Sequence, residues 1–521
     1  MTVFSRAISM SIPVFLCAAL GACGGEGGGP RGGQGGPGGV DGAGGGGGRG
    51  VAPGAPQAVA VHLVPRPGVS GPQRVNFAVP LAPGALGDAA AVRVLQAGDE
   101  LPSARRGLAR HPDGSPRSVQ IQVDLDLAGE TDLEVRLNED PGVGDLALVP
   151  VEETLDPPDG TGGPRVWARL PPAWLSASGV VGPEVPEADV EGTPLAAWAD
   201  LCDYDANDVS AFLELSGDGS VWLYDRGTVM YRGYARRGDL GTLESAYRET
   251  ALYREGITEA ESALENGVPG KGGDMKYDYA QGMAIHYLLS GDDRFRESAE
   301  QLALAIGSRW SPHYSEGGAS WTERHAGFLL LAHVWAARVS DDHGGELAAL
   351  ADEDVAAYLD VQAGNPPGHD DPDARCFAHT ADAHGEDYGT WGCSPWMSAI
   401  VADGLDAYAT DRGGAEAAGA REAIIKLGRI ITEQGRDGDG RPYYWMTLGP
   451  GPDEVDDFEE HWGESAYVVA MAWAHDGKRD AALRHAADEL IDGFAARGEA
   501  PHMRSFNWQC RSAVATPYYL R

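Results

Sequence analysis

Tyr287-Leu288-Leu289-Ser290-Gly291-Asp292-Asp293-Arg294-Phe295 joins two stretches of helical period through one tight turn. Upstream, residues 277–289 place apolar side chains at i, i+3 and i+4. Downstream, residues 294–306 repeat the pattern. The same unit recurs along the chain. Residues 224–237 pair with 243–263, 321–339 with 346–359, 395–408 with 415–431, and 465–474 with 478–496. A second turn of the same kind is Ala474-His475-Asp476-Gly477. Five or six helical hairpins at a spacing of about 50 residues predict an (α/α)5-6 toroid over residues 201–521. An open helical solenoid is the rival arrangement.

Before residue 155 the period is two. Ser118-Val119-Gln120-Ile121-Gln122-Val123-Asp124-Leu125 alternates apolar and polar residues, as do 59–64, 74–79, 92–95 and 133–137, with turn residues between. Residues 57–155 therefore read as an antiparallel β-domain, a barrel or sandwich. Residues 156–200 form a connecting segment. The expected fold class is multidomain β plus α.

The ends of the chain fix its compartment. Arg6 precedes an apolar run, residues 8–22, too short to span a bilayer. The run ends Leu20-Gly21-Ala22-Cys23, which resembles a bacterial lipobox. The resemblance implies removal of residues 1–22 and lipidation of Cys23, placing the protein in the cell envelope, at an outer membrane, in a periplasm or on the surface. Residues 23–56 are glycine-rich and read as a disordered tether. Four cysteines then remain in an oxidising compartment, and the favoured disulfides are Cys376–Cys393 and Cys202–Cys510.

The net charge of −38 excludes general nucleic-acid binding and leaves the lipid anchor as the only expected membrane contact. It would also repel a polyanion unless a local basic cleft offsets it. Arginine supplies nearly all of the 40 basic residues, which suits bidentate carboxylate recognition.

One stretch of the β-domain carries a family resemblance. Phe77-Ala78-Val79-Pro80-Leu81-Ala82-Pro83-Gly84-Ala85-Leu86 is followed by Arg110-His111-Pro112-Asp113-Gly114-Ser115-Pro116. Together they resemble the N-terminal RIFT-barrel-like domain of the exo-rhamnogalacturonan lyase-like family, with His111 where that family usually has Trp. Tyr287-Leu288-Leu289-Ser290-Gly291-Asp292 and Trp321-Thr322-Glu323-Arg324-His325-Ala326-Gly327 resemble phrases of toroidal polysaccharide lyases and their hydrolase relatives. The resemblance implies an accessory β-domain beside a toroid that handles polysaccharide.

Candidate chemistry lies in loops at the toroid rim. The loop from Cys376 to Cys393 holds His379, His384, Glu386, Asp387, Tyr388 and Trp391, and leads into Trp396. It reads as a disulfide-closed substrate loop, as a zinc site through Cys376, His379, His384 and Cys393, or as a structural loop. Breaking a uronate polymer by β-elimination requires a base, a cationic or amide group to neutralise the enolate, and an acid. Tyr277, Arg324, His325, His384 and Tyr388 are the catalytic candidates. Asp225, Arg226, Lys276, Trp321, Trp391 and Trp396 are the substrate-binding candidates. Hydrolysis would draw instead on two carboxylates among Asp225, Asp278, Glu323, Glu386 and Asp387.

His286 reads as a core histidine, and Asp225–Arg226 equally as an internal ion pair. No cofactor is required; a structural calcium or zinc ion is left open, with Asp437-Gly438-Asp439-Gly440 hinting at calcium. The expected reading is a monomeric, lipid-anchored polysaccharide lyase acting on a polysaccharide or oligosaccharide. A glycoside hydrolase and a non-catalytic glycan-binding lipoprotein are the alternatives.

Overall fold

The computed structural model describes residues 57–521, except 261–262, 316–320, 365–373, 381–390, 450, 452, 456–460 and 498–500. The chain builds antiparallel sheets first and helices afterwards, a β plus α protein as expected. The strands are β1 (Gln57–Pro65), β2 (Gly71–Pro80), β3 (Val92–Gln96), β4 (Asp99–Leu101), β5 (Ser103–Arg110), β6 (Pro116–Leu127), β7 (Thr131–Leu137) and β8 (Val166–Arg169). They form a five-stranded sheet, β4-β3-β7-β1-β8, and a three-stranded sheet, β2-β6-β5. Alternation turns Val59, Val61 and Leu63 of β1 and Val119, Ile121 and Val123 of β6 into a shared core. β4, β5 and β8 are strands that the alternation did not mark. β5 carries Arg105 and Arg106 side by side, and β8 is only four residues long.

The polar face of β6 is buried over its first half, at Ser118, Gln120 and Gln122, and exposed at Asp124 and Asp126. Ser118 donates to the carbonyl of Leu288 (2.6 Å), Asn76 on β2 to that of Ser290 (2.8 Å), and Arg106 on β5 to that of Gly291 (2.8 Å). These carbonyls end a helix and have no partner within it. The sheet therefore caps a helix end. Gly291 fits there for two reasons. Its φ is +73°, and a Cβ on it would lie 2.4 Å from the Gln120 side chain.

The two turns of the family resemblance are tied together by the residue that departs from the family. His111 Nε2 lies 2.8 Å from the carbonyl of Leu81, and Gly84 donates to the Ser115 hydroxyl (2.8 Å). Burial, then the charge of Arg117, lowers the His111 pKa, which keeps it neutral in this role.

Three short helices follow: α1 (Pro172–Ser178), α2 (Pro194–Asp200) and α3 (Val209–Leu215). Then come α4 (Arg226–Arg237) with α5 (Leu240–Gly256), the small ribbon of β9 (Thr258–Ala260) and β10 (Ala263–Glu265), α6 (Gln281–Ser290) with α7 (Asp293–Arg309), and α8 (Glu323–Val339) with α9 (Gly344–Gly364). The short strands β11 (His379–Thr380) and β12 (Trp391–Cys393) precede α10 (Pro395–Asp411) and α11 (Gly414–Gln434). β13 (Tyr443–Thr447) and β14 (Glu454–Val455) precede α12 (Trp462–His475) and α13 (Ala481–Arg497). The chain closes with α14 (Arg504–Ala513) and α15 (Thr516–Leu520).

Contacts between alternate helices close on themselves. α4 touches α6, α6 touches α8, and so on through α10, α12 and α14, which returns to α4. The partner helices α5, α7, α9, α11 and α13 each pack outside one of them, and α2 reaches α13 and α14. The closing member, α14, is the inner helix that periodicity did not predict. It carries only a short apolar stripe, Phe506, Cys510 and Ala513, and it also buries Asn507, Gln509, Arg511 and Ser512, which masks the pattern in sequence. Among the described residues no helix is long and apolar enough to cross a membrane.

Both cysteine pairs lie at disulfide distance in the expected pairing. The Cα–Cα separations are 5.6 Å for Cys202–Cys510 and 6.2 Å for Cys376–Cys393. The first ties α14, the unpredicted closing helix, to the segment after α2.

Candidate functional site

The starts of the inner helices converge on one rim. The chain enters α4 through Tyr224 and Asp225, both at positive φ (75° and 51°). A tyrosine there is strained, and the surroundings must hold it. Asp225 does so by accepting from Thr228 Oγ1 (2.7 Å) and from the amide of Gly282 at the start of α6 (3.0 Å). A Cβ at Gly282 would sit 2.7 Å from the Asp225 carboxylate, so the close approach requires glycine. The Tyr224 amide donates to the Tyr279 hydroxyl (2.8 Å), which fastens the same two helix starts.

An aromatic wall stands on this rim. Trp396 of α10 stacks on His461 at 4.4 Å and 10°, and His461 stacks on Trp508 of α14 at 4.7 Å and 14°. Tyr444 of β13 lies 5.4 Å from Trp396, and Tyr224 lies 5.3 Å from Trp508. Two arginines face the wall: Arg324 lies 5.7 Å from the Trp396 centroid and Arg504 lies 4.2 Å from that of Trp508. Five inner helices thus supply one cluster, together with the Tyr277 approach to α6.

The electrostatics place further groups here. Burial raises the Tyr224 phenol pKa well above its usual value, with Arg324, Glu464 and Tyr444 acting on it at close range. Burial also raises Tyr277, with Asp274 reinforcing and Arg324 and Arg504 opposing. Lys276 is lowered by burial first and then by Arg324. Glu464, in the first turn of α12, is 3% exposed, and burial pushes its pKa up to about 8. One of its oxygens lies 3.4 Å from His461 Nδ1, and the other has no hydrogen-bond partner among the described residues. It is a carboxylic acid that keeps its proton near neutrality.

The structure therefore brings together Tyr277, Arg324, Lys276 and Trp396 from the sequence-derived set. His325, on the same turn as Arg324, lies 3.2 Å from Thr322 Oγ1 and 6.1 Å from the Trp310 ring. Trp391 faces Tyr314 at 5.8 Å. Trp321 is fully buried, donates to the Pro312 carbonyl (2.9 Å) and packs on Tyr358. Arg226 is buried, 2.6 Å from Glu249 and over the Phe212 ring at 4.6 Å, so it forms an internal ion pair, with Glu249 rather than Asp225 as the partner. Asp225 positions Tyr224 and caps α4. His384 and Tyr388 lie outside the described residues, as do Cys23, Glu386 and Asp387.

The carboxylates proposed for hydrolysis are engaged in structure where they are described. Asp278 pairs with Arg309 (2.5 Å) and accepts from Asn266 (3.0 Å). Glu323 pairs with His379 of the Cys376–Cys393 loop (2.7 Å) and accepts from Ser394 and Ser398 (3.0 and 2.9 Å), so it clasps that loop onto α10. Asp437 accepts from the amides of Asp439 and Arg441 within its own turn. Among the described residues no group of three His, Cys, Asp or Glu is arranged to hold a metal ion.

Glu464, Arg504 and Trp508 escaped the sequence reading. The usable signal was positional: chemistry-bearing residues fall in the first turn of every second helix. It required α14 to be recognised as a helix.

No family model matches the chain, and no curated protein matches it. Among solved structures, the cellobiose 2-epimerase of Bacillus thermoamylovorans B4167 is similar at 13% identity and a TM-score of 0.35, covering 57% of this chain and 74% of its own.

Proposed function

We propose that the chain is an exported, lipid-anchored, carbohydrate-active enzyme whose inner helices form an (α/α)6 toroid, and that it cleaves a uronate-containing polysaccharide by β-elimination at the rim described above. The observation that carries the reading is the meeting of Arg324, Arg504 and Lys276 with Tyr224, Tyr277 and the protonated Glu464 beside an aromatic wall. The closed order of inner-helix contacts supports the toroid.

Each part has a task in elimination. The arginines neutralise a substrate carboxylate and the enolate that forms when its α-proton leaves. Tyr277 is the group placed to take that proton: burial raises its phenol pKa, and Arg324 and Arg504 oppose that rise. Glu464 holds a proton for the departing glycosidic oxygen. The stacked Trp396, His461 and Trp508 are buried and back the arginines as a rigid apolar support. Arg324 and Arg504 supply the local positive field that a substrate carboxylate would meet, while Lys276 is paired with Asp274 (3.0 Å).

The test is a panel of pectin fragments, alginate, ulvan and glycosaminoglycans. Ultraviolet absorbance of the conjugated double bond and reducing ends are read together. Both rising supports elimination, and the responding polymer names the substrate. Reducing ends alone would indicate hydrolysis. Saturable binding without either product would make the protein a glycan-binding lipoprotein.

A further inference from the structure

Acidic residues outnumber basic ones 78 to 40 in this chain, so counter-charges for its cations are plentiful. A buried polar layer below the rim shows the ordinary case. Asp403 of α10 accepts from Arg511 of α14 (2.7 Å), Arg232 of α4 (3.2 Å) and Tyr467 of α12 (3.0 Å). It follows Trp396 by seven residues on one helix, so the layer sits about 10 Å below the aromatic wall. Arginines without a carboxylate, such as Arg110, Arg169 and Arg421, donate to the carbonyls of Gly114, Gly238 and Ala409. Among the described residues Lys271, Arg324 and Arg504 have neither kind of partner, and all three stand around Tyr277. Lys426 of α11 is in the same state away from this group.

Lys271 Nζ lies 5.6 Å from the centroid of the Tyr277 ring, and the charges of Arg324 and Arg504 reach the same phenol. The charged ends are open to solvent. Arg504 is exposed, Lys271 and Arg324 are half-buried, and of the side-chain nitrogens of those two only Arg324 Nε is sealed. Lys271 is also held in place. A Cβ on Gly219 would lie 2.8 Å from Lys271 Cγ and 2.3 Å from the Pro269 carbonyl, so the lysine stem packs where only glycine fits. The Lys271 amide donates to the Val268 carbonyl (3.0 Å), and the Lys271 carbonyl accepts from the Asp274 amide (3.1 Å) and from Asn266 Nδ2 (3.3 Å). The acidic groups whose charge acts here are engaged. Asp274 pairs with Lys276 (3.0 Å), and Asp218 accepts from the Ser220 amide (2.9 Å).

Elimination at one uronate presents one carboxylate, which the two arginines answer in the reading above, and Lys271 is left over. We propose that Lys271 is a specificity-determining residue that binds a second anionic group, a carboxylate or a sulfate ester, within one sugar residue of the uronate being cleaved. The substrate is then a glycan with closely spaced charges, not isolated uronates between neutral sugars. A lysine ammonium is a compact point charge that serves either anion, where an arginine fork favours bidentate geometry. This inference rests on the reading of the rim as the place where the glycan binds.

The experiment is calorimetric titration of the full-length protein at low salt with matched oligosaccharide pairs that differ in the second anion. Hexagalacturonate is set against its partly methyl-esterified form, and chondroitin sulfate and ulvan oligosaccharides against their desulfated forms. Glu464→Gln serves as the background where an oligosaccharide is turned over. In at least one pair the more charged member should bind about tenfold tighter or better, the value of one charged hydrogen bond. A response in the galacturonate pair assigns the carboxylate, and one in a sulfated pair assigns the sulfate. Lys271→Ala should erase the difference and leave the less charged member unaffected. Lys271→Arg should keep most of it, and Lys426→Ala should change nothing. Lys271→Gln, which keeps the stem against Gly219, carries the test if Lys271→Ala does not fold. Equal binding within every pair, a preference that survives in Lys271→Ala and Lys271→Gln, or binding to no member would each overturn the proposal. The two readings fail separately. A Lys271-dependent preference without ultraviolet product keeps the second-anion site and removes elimination, whereas ultraviolet product without a charge preference does the reverse.

Discussion

The two ends of the helical ring handle buried polarity in opposite ways. At the end that meets the β-domain, helix-terminal carbonyls find donors on the sheet: Leu288, Ser290 and Gly291 receive Ser118, Asn76 and Arg106. Asp411 there is held by Arg117 and Arg338 (3.0 and 2.5 Å), which outweigh its burial and keep its pKa below the usual carboxylate range. At the other end, no arginine or lysine among the described residues offsets the burial of Glu464, and its pKa rises to about 8. One end spends its charged groups on docking; the other keeps a proton available. Polar groups with complete partners mark structure, and those with incomplete partners mark candidate chemistry.

The largest expected effect breaks the open end. Glu464→Gln keeps the shape of the side chain and removes the transferable proton. Turnover on the responding polymer should fall by about 10²–10⁴-fold. In the parent protein, activity should decline as pH rises through about 8, where Glu464 loses its proton; a limb that persists unchanged in a partly active Glu464→Gln would assign it to another group. The same shift predicts a stability trend. Folding raises this pKa above the usual 4.5 or so, so the native state binds more protons between that value and about 8. Stability from this group is therefore full at the acid side and is lost as pH rises across the window. Glu184, buried and pushed to about 8 by desolvation, adds to the same trend. Denaturant unfolding between pH 5 and 8.5 reads it, and Glu464→Gln should flatten the slope.

Asp403→Asn attacks the layer between the two ends. It leaves Arg232 and Arg511 buried without their counter-charge, and unfolding free energy should drop by about 3–5 kcal/mol. A drop no larger than that of a surface substitution would show that the layer is hydrated rather than closed.

Gly291→Ala tests the docked end. It introduces a Cβ at positive φ against Gln120, and a loss of about 1–3 kcal/mol in chemical denaturation is expected, with rim chemistry intact in the surviving folded protein. Ser118→Ala removes one donor from the same interface and should cost about 1 kcal/mol. If either variant lowered turnover as much as Glu464→Gln, the two ends would not be separable.

Much of this molecule was legible in sequence. The alternation at 118–125 marks β6, and i, i+3, i+4 spacing marks ten helices, most within a few residues of their observed ends; the one expected to run to residue 263 stops at Gly256 and gives way to β9. Of the three pairings open to four cysteines, the one favoured from position is the one found at disulfide distance. What escaped has specific causes. β5 hides behind Arg105 and Arg106, whose side chains serve the helix dock and the neighbouring sheet. α14 hides because it buries Asn507 and Arg511 against other polar groups, Asn507 on the carbonyls of Val221 and Leu223 and Arg511 on Asp403. Trp321 reads like a sugar platform, yet it packs behind the rim.

The sequence by itself determined most of the elements, through their periods and their turns. These depend on residues a few positions apart, where backbone geometry sets which side chains share a face. Tertiary structure alone decided that Tyr224, Arg324, Trp396, His461, Glu464 and Trp508 form one cluster and that Ser118, Gln120 and Gln122 of β6 are buried. Those residues span nearly 300 positions, and only closure of the ring brings them within reach of one another. The pKa of Glu464 follows from that closure, because desolvation belongs to the packed surroundings and not to the residue.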